Sequence, residues 1–329
     1  MTVLVTGGAG YIGSHMVLEL LEAGETVVVL DNLTTGFWWA VPKEVTLIEG
    51  DMGDQALVGR VIAEHGIEAI IHFAARIVVP ESVADPLGYY LNNTSKTRNL
   101  IECAVKGGVK RIIFSSTAAV YGDVKVNPVT EDTPQNPVSP YGRSKLMSEW
   151  MLQDTARAHG LAYVILRYFN VAGADPKGRT GQSTAGATHL IKVACQTAIG
   201  DRPEMAIFGT DYPTPDGTCL RDYIQVTDLA RAHMAALKYL RGGGESGIFN
   251  CGYGRGYSVR EIVDVVKQVS GVDFRVVLQP RRPGDPPAIV AEAARARAIL
   301  GWQPIHDDVA AIVGQALAWE KALRVRNAA

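Results

Sequence analysis

What this chain of 329 residues lacks narrows its function first. Its four cysteines (Cys103, Cys195, Cys219, Cys251) form no CxxC pair, and its seven histidines show no HExxH or other ligand spacing. No disulfide framework and no metal site is therefore expected, and cysteines scattered among apolar and small residues read as core residues in a reducing cytoplasm. Charge of one sign is missing too: 32 Lys plus Arg against 34 Asp plus Glu leave a net charge of −2, without blocks. Such a chain makes no field that would gather nucleic acid or an anionic membrane. No apolar run is long enough to span a bilayer, and Met1-Thr2-Val3-Leu4-Val5 reads as a strand rather than a secretion signal. Aromatics are sparse at 7%, yet 47% hydrophobic residues are enough for a packed core, which excludes disorder.

What is present is an alternation of short β-branched runs with helical patterns, the mark of a parallel sheet wound with helices. Strands are expected at 2–6, 26–30, 45–49, 69–72, 111–115 and 162–167, and helices at 11–23, 54–65, 86–106 and 141–159. Residues 127–140 hold four prolines and read as a loop. Beyond about Asn170 the texture changes: 173–186 is irregular, a helix is expected at 188–199, and a strand at 205–208. A further helix (226–240) and strand (246–250) can rejoin the sheet, and 258–269, 274–278 and 309–322 suggest a smaller cap. The expected fold is α/β, a Rossmann-type doubly wound parallel sheet with a smaller C-terminal mixed α/β substrate domain. In this division residues 1–170, with 220–252, form the cofactor domain; 171–219 and 253–329 form the substrate domain.

Directly after the first strand runs Gly7-Gly8-Ala9-Gly10-Tyr11-Ile12-Gly13, a GxxGxxG spacing. Gly7 permits the tight turn, Gly10 lets backbone approach a pyrophosphate, and Gly13 lets the helix pack closely; the helix start adds N–H groups for phosphate. A glycine turn alone is weak evidence, but Asp31 closes the second strand eighteen residues after Gly13. An acid there binds both hydroxyls of an adenosine ribose and repels a 2′-phosphate, which points to NAD rather than NADP.

Ser115-Ser116-Thr117 closes the fifth strand, where an open parallel sheet presents ligands. Tyr141 and Lys145 open the helix after the proline-rich loop, four residues apart and on one face. A phenol is a poor base at neutral pH, but an adjacent ammonium and an oxidised nicotinamide favour phenolate and lower its pKa. Thr117 can hold a substrate oxygen in line. Read singly, Tyr141 and Lys145 are ordinary helix-surface residues; the glycine turn and the hydroxyl-rich strand end favour a catalytic set.

With these residues in place the chain resembles the extended short-chain dehydrogenase/reductase family. The match runs through TGGAGYIG (6–13), DNL (31–33), GD (50–51), HFAA (72–75), SSTAAVYG (115–122), SPYGRSK (139–145), RYFNVAG (167–173), AIFG (206–209), RDYI (221–224) and PRRPGD (280–285). The resemblance implies that Tyr141 is the acid/base, that Lys145 binds the nicotinamide ribose and tunes the tyrosine, and that Thr117 orients the substrate. It implies cofactor contacts at Gly7, Gly10, Tyr11, Ile12, Gly13, Asp31, Asn32, Asp51, Met52, Phe73, Ala74, Ala75, Asn92, Ser115 and Phe169. The family's 4,6-dehydratases carry an acid and base just after the hydroxyl residue, where this chain has Ala118 and Ala119. Methyl groups cannot transfer protons, so oxidation and re-reduction at C4 is the chemistry left.

At the other end, Arg221 and Arg282 suit a second pyrophosphate, since guanidinium engages phosphate oxygens in a bidentate way. Either alone reads as a surface ion pair. By resemblance, Asn170 and Leu190 contact the sugar nucleotide, Ala206, Ile207 and Phe208 line its uracil, and Tyr223, Val259 and Asp285 flank the nucleoside. Departures from the family pattern fall at His189 (often Asn), Ile77 (Lys in some members) and Ile289 (Tyr in some). The expected activity is NAD-dependent inversion at C4 of a UDP-hexose, glucose to galactose, through a transient 4-keto sugar. Alternatives are a 4-epimerase of another UDP-sugar (N-acetylhexosamine, pentose or uronic acid) or a 4-keto reductase. A non-catalytic dinucleotide sensor needs no Tyr141, Lys145 and Thr117 together. A homodimer through helices 86–106 and 141–159 is the expected assembly, and Phe37-Trp38-Trp39 is either a local contact or an association surface. Galactose use and surface-polysaccharide supply need the same reaction.

Overall fold

The computed structural model describes residues 1–282 and 284–328. Its first half alternates β1 (Thr2–Thr6), α1 (Tyr11–Glu22), β2 (Thr26–Asp31), β3 (Thr46–Glu49), α2 (Gln55–His65) and β4 (Ile67–His72). It continues through α3 (Val79–Ala84), α4 (Pro86–Tyr89), α5 (Lys96–Lys106), β5 (Arg111–Thr117), α6 (Pro140–His159) and β6 (Ala162–Tyr168). These strands are nearly all apolar because both faces are covered by helices. The second half adds β7 (Asn170–Ala172), α7 (Leu190–Ala198), β8 (Met205–Phe208), β9 (Leu220–Gln225), α8 (Val226–Arg241) and β10 (Gly247–Cys251). Then follow β11 (Gly256–Ser258), α9 (Val259–Ser270), β12 (Val276–Gln279), β13 (Ala288–Ile289), α10 (Ala294–Leu300) and α11 (Val309–Ala328).

Seven parallel strands form one sheet in the order β10-β6-β5-β4-β1-β2-β3. The chain runs outward from β1 in one direction and then, from β4, in the other. The β1/β4 boundary is thus the topological switch point, where an α/β sheet leaves a crevice beyond its carboxyl ends. β7, β9, β11 and β13 make a separate small sheet, and β8 pairs β12. Of the segment 220–252 expected to rejoin the large sheet, β10 does so beside β6, whereas β9, not among the expected strands, pairs with β7, β11 and β13 instead.

The expected continuous helix 86–106 is interrupted. Residues Tyr90–Ser95 adopt a π-helical turn between α4 and α5. Its Asn93 side chain accepts from Arg76 N at 2.9 Å and donates to Arg76 O at 2.9 Å, so the turn is pinned to the loop after β4. A single extra residue in a helix leaves hydrophobic periodicity almost unchanged, so the pattern did not reveal it; such turns mark functional sites often.

Both faces of the sheet are packed: one under α1 and α8, the other under α2, α5 and α6. The C-terminal segment is fastened by Trp302, fully buried, whose Nε1 donates to the Asp228 carbonyl at 2.9 Å. The Asp228 carboxylate accepts from Tyr253 Oη and His306 N, both at 2.8 Å. Trp302→Ala is expected to cost about 3–5 kcal/mol in urea unfolding, as for other buried aromatics; a loss below about 1 kcal/mol would show that the segment is held some other way.

Candidate active site

The glycine turn explains itself atom by atom. Gly7 has φ +73°, and a Cβ there would stand 2.6 Å from Ala74 N; a Cβ on Gly13 would stand 2.1 Å from Gly7 O. The space that Gly13 frees is therefore filled by the turn's own backbone. Gly10 is different: its Cβ would meet only Gly7 O, at 3.3 Å, so the turn's outer side is open. Gly10 also begins α1 without a side-chain cap, which leaves the first-turn N–H groups at Tyr11 and Ile12 available to an anion. These features fit a dinucleotide pyrophosphate.

Asp31 is buried; its Oδ2 accepts from Ala9 N at 2.9 Å and its Oδ1 from Leu33 N at 2.8 Å. The second bond holds Leu33 at φ +56°, a strained conformation for a branched residue, and so shapes the loop after β2. Burial raises the Asp31 pKa. Asn32 is exposed, and its Oδ1 accepts from Thr34 N at 3.2 Å. Asp51 pairs with Lys96 Nζ at 2.5 Å, a partner sequence reading missed, and Met52 is buried in the core beneath β2. Phe73 and Ala74 donate backbone N–H groups to Thr6 O at 2.9 and 3.1 Å, which brings the end of β4, with Ala75 next, beside the glycine turn. Asn92 lies in the π turn and donates to Asn93 Oδ1 at 3.1 Å.

Around the expected reaction centre the packing is dense. Tyr141 and Lys145 are both buried in α6, whose start is capped by Ser139 Oγ accepting from Gly142 N at 3.2 Å. Lys145 Nζ donates to the Ser115 carbonyl at 2.8 Å and stands 5.0 Å from the Phe114 ring centroid. The Ser115 hydroxyl meets Tyr168 Oη, and Thr117 Oγ1 accepts from Ala119 N at 3.1 Å. Ala118 and Ala119 occupy the turn beyond Thr117 and bring no proton-transferring group. Phe169 and Ile289 share one small core cluster with Ala118 and Leu146.

The ammonium and an oxidised nicotinamide are expected to lower the Tyr141 pKa together; in the chain without cofactor, burial pushes it up to about 12, with the Thr117 hydroxyl pulling the other way. The same burial lowers Lys145 to about 8, against the pull of Glu149, which raises it. Desolvation disfavours both charged forms, and at Lys145 it outweighs the Glu149 charge.

The second group of predicted residues gathers on the other layer. Asn170 in β7 pairs in register with Tyr223 in β9, and both line a narrow cavity with Tyr11, Gln182, His189 and Leu190. His189 precedes α7, its Nδ1 is 3.3 Å from Gln182 Nε2, and burial beside Lys192 lowers its pKa. Arg221 Nη1 donates to Leu220 O at 2.8 Å and Pro286 O at 2.9 Å, and Nη2 is 3.8 Å from Asp285. Arg282 lies 3.7 Å over the Phe208 ring, at the end of β8 after Ala206 and Ile207. Val259 opens α9, its N–H bonded to Cys219 O at 3.1 Å. Ile77 is exposed, and Pro283 of the PRRPGD stretch lies outside the described residues.

Sequence reading also missed Glu149, Arg167, Ser116 and Tyr168, which pack behind Tyr141 and Lys145. The available signal was Glu149 four residues beyond Lys145, on the same helix face, and an arginine inside an apolar strand. The four cysteines are free and buried. Among the described residues no His/Cys/Asp/Glu cluster could hold a metal, and no helix is long and apolar enough to cross a membrane.

A switch-point crevice with an open glycine turn on one side and a Tyr-x-x-x-Lys helix on the other defines the short-chain dehydrogenase/reductase class, in its extended form with a second layer. Comparison with known proteins takes this further: the chain belongs to the NAD dependent epimerase/dehydratase family, whose model matches residues 3–252. It is 57% identical over 321 residues to a UDP-glucose 4-epimerase of Azospirillum brasilense, covering 98% of this chain and 92% of that one. The solved UDP-glucose 4-epimerase of Brucella ovis, in complex with NAD, superposes with a TM-score of 0.94 at 45% identity over 96% and 97% of the chains. The UDP-Glc/GlcNAc 4-epimerase of Campylobacter jejuni has a TM-score of 0.86 at 47% identity over 98% and 99%.

Because burial lowers Lys145, its ammonium is held below pH about 8 and lost above it. NMR titration of carbon-labelled lysine, with the signal assigned by its loss in Lys145→Arg, should place this midpoint near 8; a midpoint at the ordinary 10.5 would refute the account of burial.

Proposed function

We propose that this protein is an NAD-dependent epimerase that inverts C4 of a UDP-hexose, interconverting the UDP-glucose and UDP-galactose configurations. The observation that carries the reading is the Tyr141–Lys145–Thr117 set next to Ala118 and Ala119: one acid/base for a hydroxyl proton, and none for removing water. Residues 1–170, with 220–252, form the layer that holds the cofactor, and residues 171–219 and 253–329 the layer that holds the sugar nucleotide; Asn170, Arg221 and Tyr223 are the exceptions, carried by the small sheet and serving the sugar nucleotide.

A bound NAD supplies the hydride acceptor and donor for C4. The chain does the rest. The Tyr141 phenolate takes the C4 hydroxyl proton, Thr117 holds the C4 oxygen, and Lys145 as ammonium favours the phenolate and holds the nicotinamide ribose. Arg221 and Arg282 engage the diphosphate, and Asn170, Leu190, Ala206, Ile207, Phe208, Tyr223, Val259 and Asp285 enclose the nucleoside and sugar. The 4-keto sugar then turns while its UDP stays held, so that the opposite face of C4 takes back the hydride, and Tyr141 returns the proton to the C4 oxygen. Since the cofactor is restored in each turnover, it stays bound.

Purified protein incubated with UDP-glucose and no added cofactor should form UDP-galactose; a requirement for stoichiometric NADH would establish a reductase instead. UDP-N-acetylglucosamine and UDP-xylose in parallel reactions define the range, and conversion of one of these alone would replace the hexose reading. Tyr141→Phe should lower kcat by about 10²–10⁴-fold, the usual worth of a general acid/base, with cofactor retained; turnover near the wild-type rate would sink the assignment.

The assembly we propose is a cytoplasmic homodimer. Val83, Leu87 and Leu91, spaced by four along α3 and α4 into the π turn, are exposed, as are Met147 and Trp150 on the adjacent α6. Apolar side chains in two neighbouring stripes are what a helix-to-helix interface buries. The double variant Leu91→Glu/Trp150→Glu should elute as a monomer in size-exclusion chromatography with light scattering; an unchanged dimer would place the interface elsewhere.

A further inference from the structure

Three successive residues at the end of β5 engage three successive turns of α6. Thr117 lies beside the Tyr141 phenol, the Ser115 carbonyl accepts from Lys145, and the Ser116 hydroxyl donates to Glu149 Oε1. The last contact serves no step of the reaction, yet it is the most elaborately built. Glu149 is fully buried and gripped by Arg167 from β6, with Nη2 to Oε2 at 2.6 Å and Nε to Oε1 at 3.1 Å. Arg167 donates Nη1 to Tyr121 Oη at 3.1 Å; Tyr121 in turn donates to Asn250 Oδ1 at 2.7 Å, and Asn250 N donates to Glu131 Oε1 at 2.8 Å. A buried ion pair brings little stability over apolar side chains of similar volume. Its position directly behind the Tyr141–Lys145 couple asks for another reason.

We propose that the Glu149–Arg167 pair sets the charge balance of the Tyr141–Lys145 couple: Glu149 supplies the counter-charge that keeps Lys145 an ammonium, and Arg167 limits it so that Tyr141 can still ionise. The inference rests on the acid/base reading of Tyr141 and Lys145. Glu149 touches neither reacting atoms nor ligand and is a positioning residue. The groups around Lys145 come from four elements: Tyr141 and Glu149 on α6, Ser115 and Ser116 on β5, Arg167 and Tyr168 on β6, and His72 on β4. Burial and Lys145 itself push His72 down to about 3, so it is neutral; its ring nitrogens bond Thr6 and Thr97 at 2.6 and 3.0 Å. Burial raises Tyr168 above the ordinary phenol range, so it is neutral as well. Glu149 and Arg167 remain as the charged members of the shell. With Glu149 alone, Lys145 would hold its proton more strongly and Tyr141 would resist ionising; with Arg167 alone, both effects would reverse.

The two charges can be removed one at a time. Glu149→Gln should move the whole pH profile of kcat for C4 inversion toward lower pH by about one unit, the size expected for one charge at close range. Arg167→Met should move it toward higher pH, and the double variant should return it to near the wild-type position. The NMR midpoint of Lys145, read in protein with and without cofactor, should shift with the same signs. Ser116→Ala, a small change that should leave the fold intact, takes one hydrogen bond from Glu149 and should raise the Lys145 midpoint by a smaller step. Shifts of equal sign in the two charge variants, or lowered kcat with unmoved profiles and midpoints, overturn the proposal and leave the pair as packing. If a single charge variant does not fold, the sign of the shift in the other and in Ser116→Ala decides. Absence of C4 inversion by the wild-type protein would instead sink the epimerase reading, while the Lys145 midpoints would still test the pair.

Discussion

A lysine held out of water is the constraint around which the reaction centre is arranged. Lys145 is 3% exposed, and an ammonium in that position must be compensated or lose its proton. Its compensation comes from the Ser115 carbonyl, the Phe114 ring face and the Glu149 charge, all carried by β5 and α6. Strand and helix therefore have to keep one register. β5 supplies it by pairing along Arg111–Thr117 with β6 on one side and over its first four residues with β4 on the other. The enclosure that makes the lysine costly also raises Tyr141, so in its proposed role as base it depends on its neighbours. In a medium of low dielectric, each neighbouring charge counts for more than it would in water.

The two layers are joined at points where the large sheet and its helices meet the small sheet and its surroundings. Tyr11, in the first turn of α1, donates its hydroxyl to Gly173 O at 2.7 Å, just beyond β7. Gln225 caps α8 with its side-chain oxygen and donates Nε2 to Ala174 O at 2.8 Å. On the outer side, Trp39 in the loop after β2 lies 6.2 Å from the Trp319 ring of α11, and the Arg326 guanidinium stands 4.2 Å from the Trp39 ring centroid. The Phe37-Trp38-Trp39 run thus has a local role for Trp39, as the seat of the C-terminal helix, whereas Trp38 is exposed. A chain longer than a minimal nucleotide fold is explained by this second layer and the contacts that tie it down.

The large sheet was legible because buried parallel strands are apolar throughout and helices between them are amphipathic; the expected bounds differ by one or two residues at most ends. The small sheet was not. Asn170–Ala172, Gly256–Ser258 and Ala288–Ile289 are two or three residues long, and no periodicity exists at that length. Glycines, Asp31, Tyr141 and Lys145 stood out because turn geometry and helical spacing are local properties. Glu149 with Arg167, and Asp51 with Lys96, are pairings between distant segments, 18 and 45 residues apart, which a single sequence does not announce. Tyr141's raised pKa was missed for the same reason: burial is a property of the whole packing, whereas the adjacent lysine can be read from spacing.

The small net charge also follows from how the anion-binding groups are built. A helix start offers roughly half a unit charge through N–H groups already aimed outward, and α1 presents one with no cap of its own. Arg221 is held in place by two carbonyls before any ligand arrives, so little side-chain entropy remains to be lost on binding. Arg282 is the opposite case: exposed, and resting on Phe208, the residue assigned to the uracil wall. On the proposed reading, a uracil on the Phe208 face would displace the guanidinium from the ring and free it for the diphosphate. One arginine fixed in advance and one released by the base would then select together for a complete nucleoside diphosphate, which a broadly basic surface would not do.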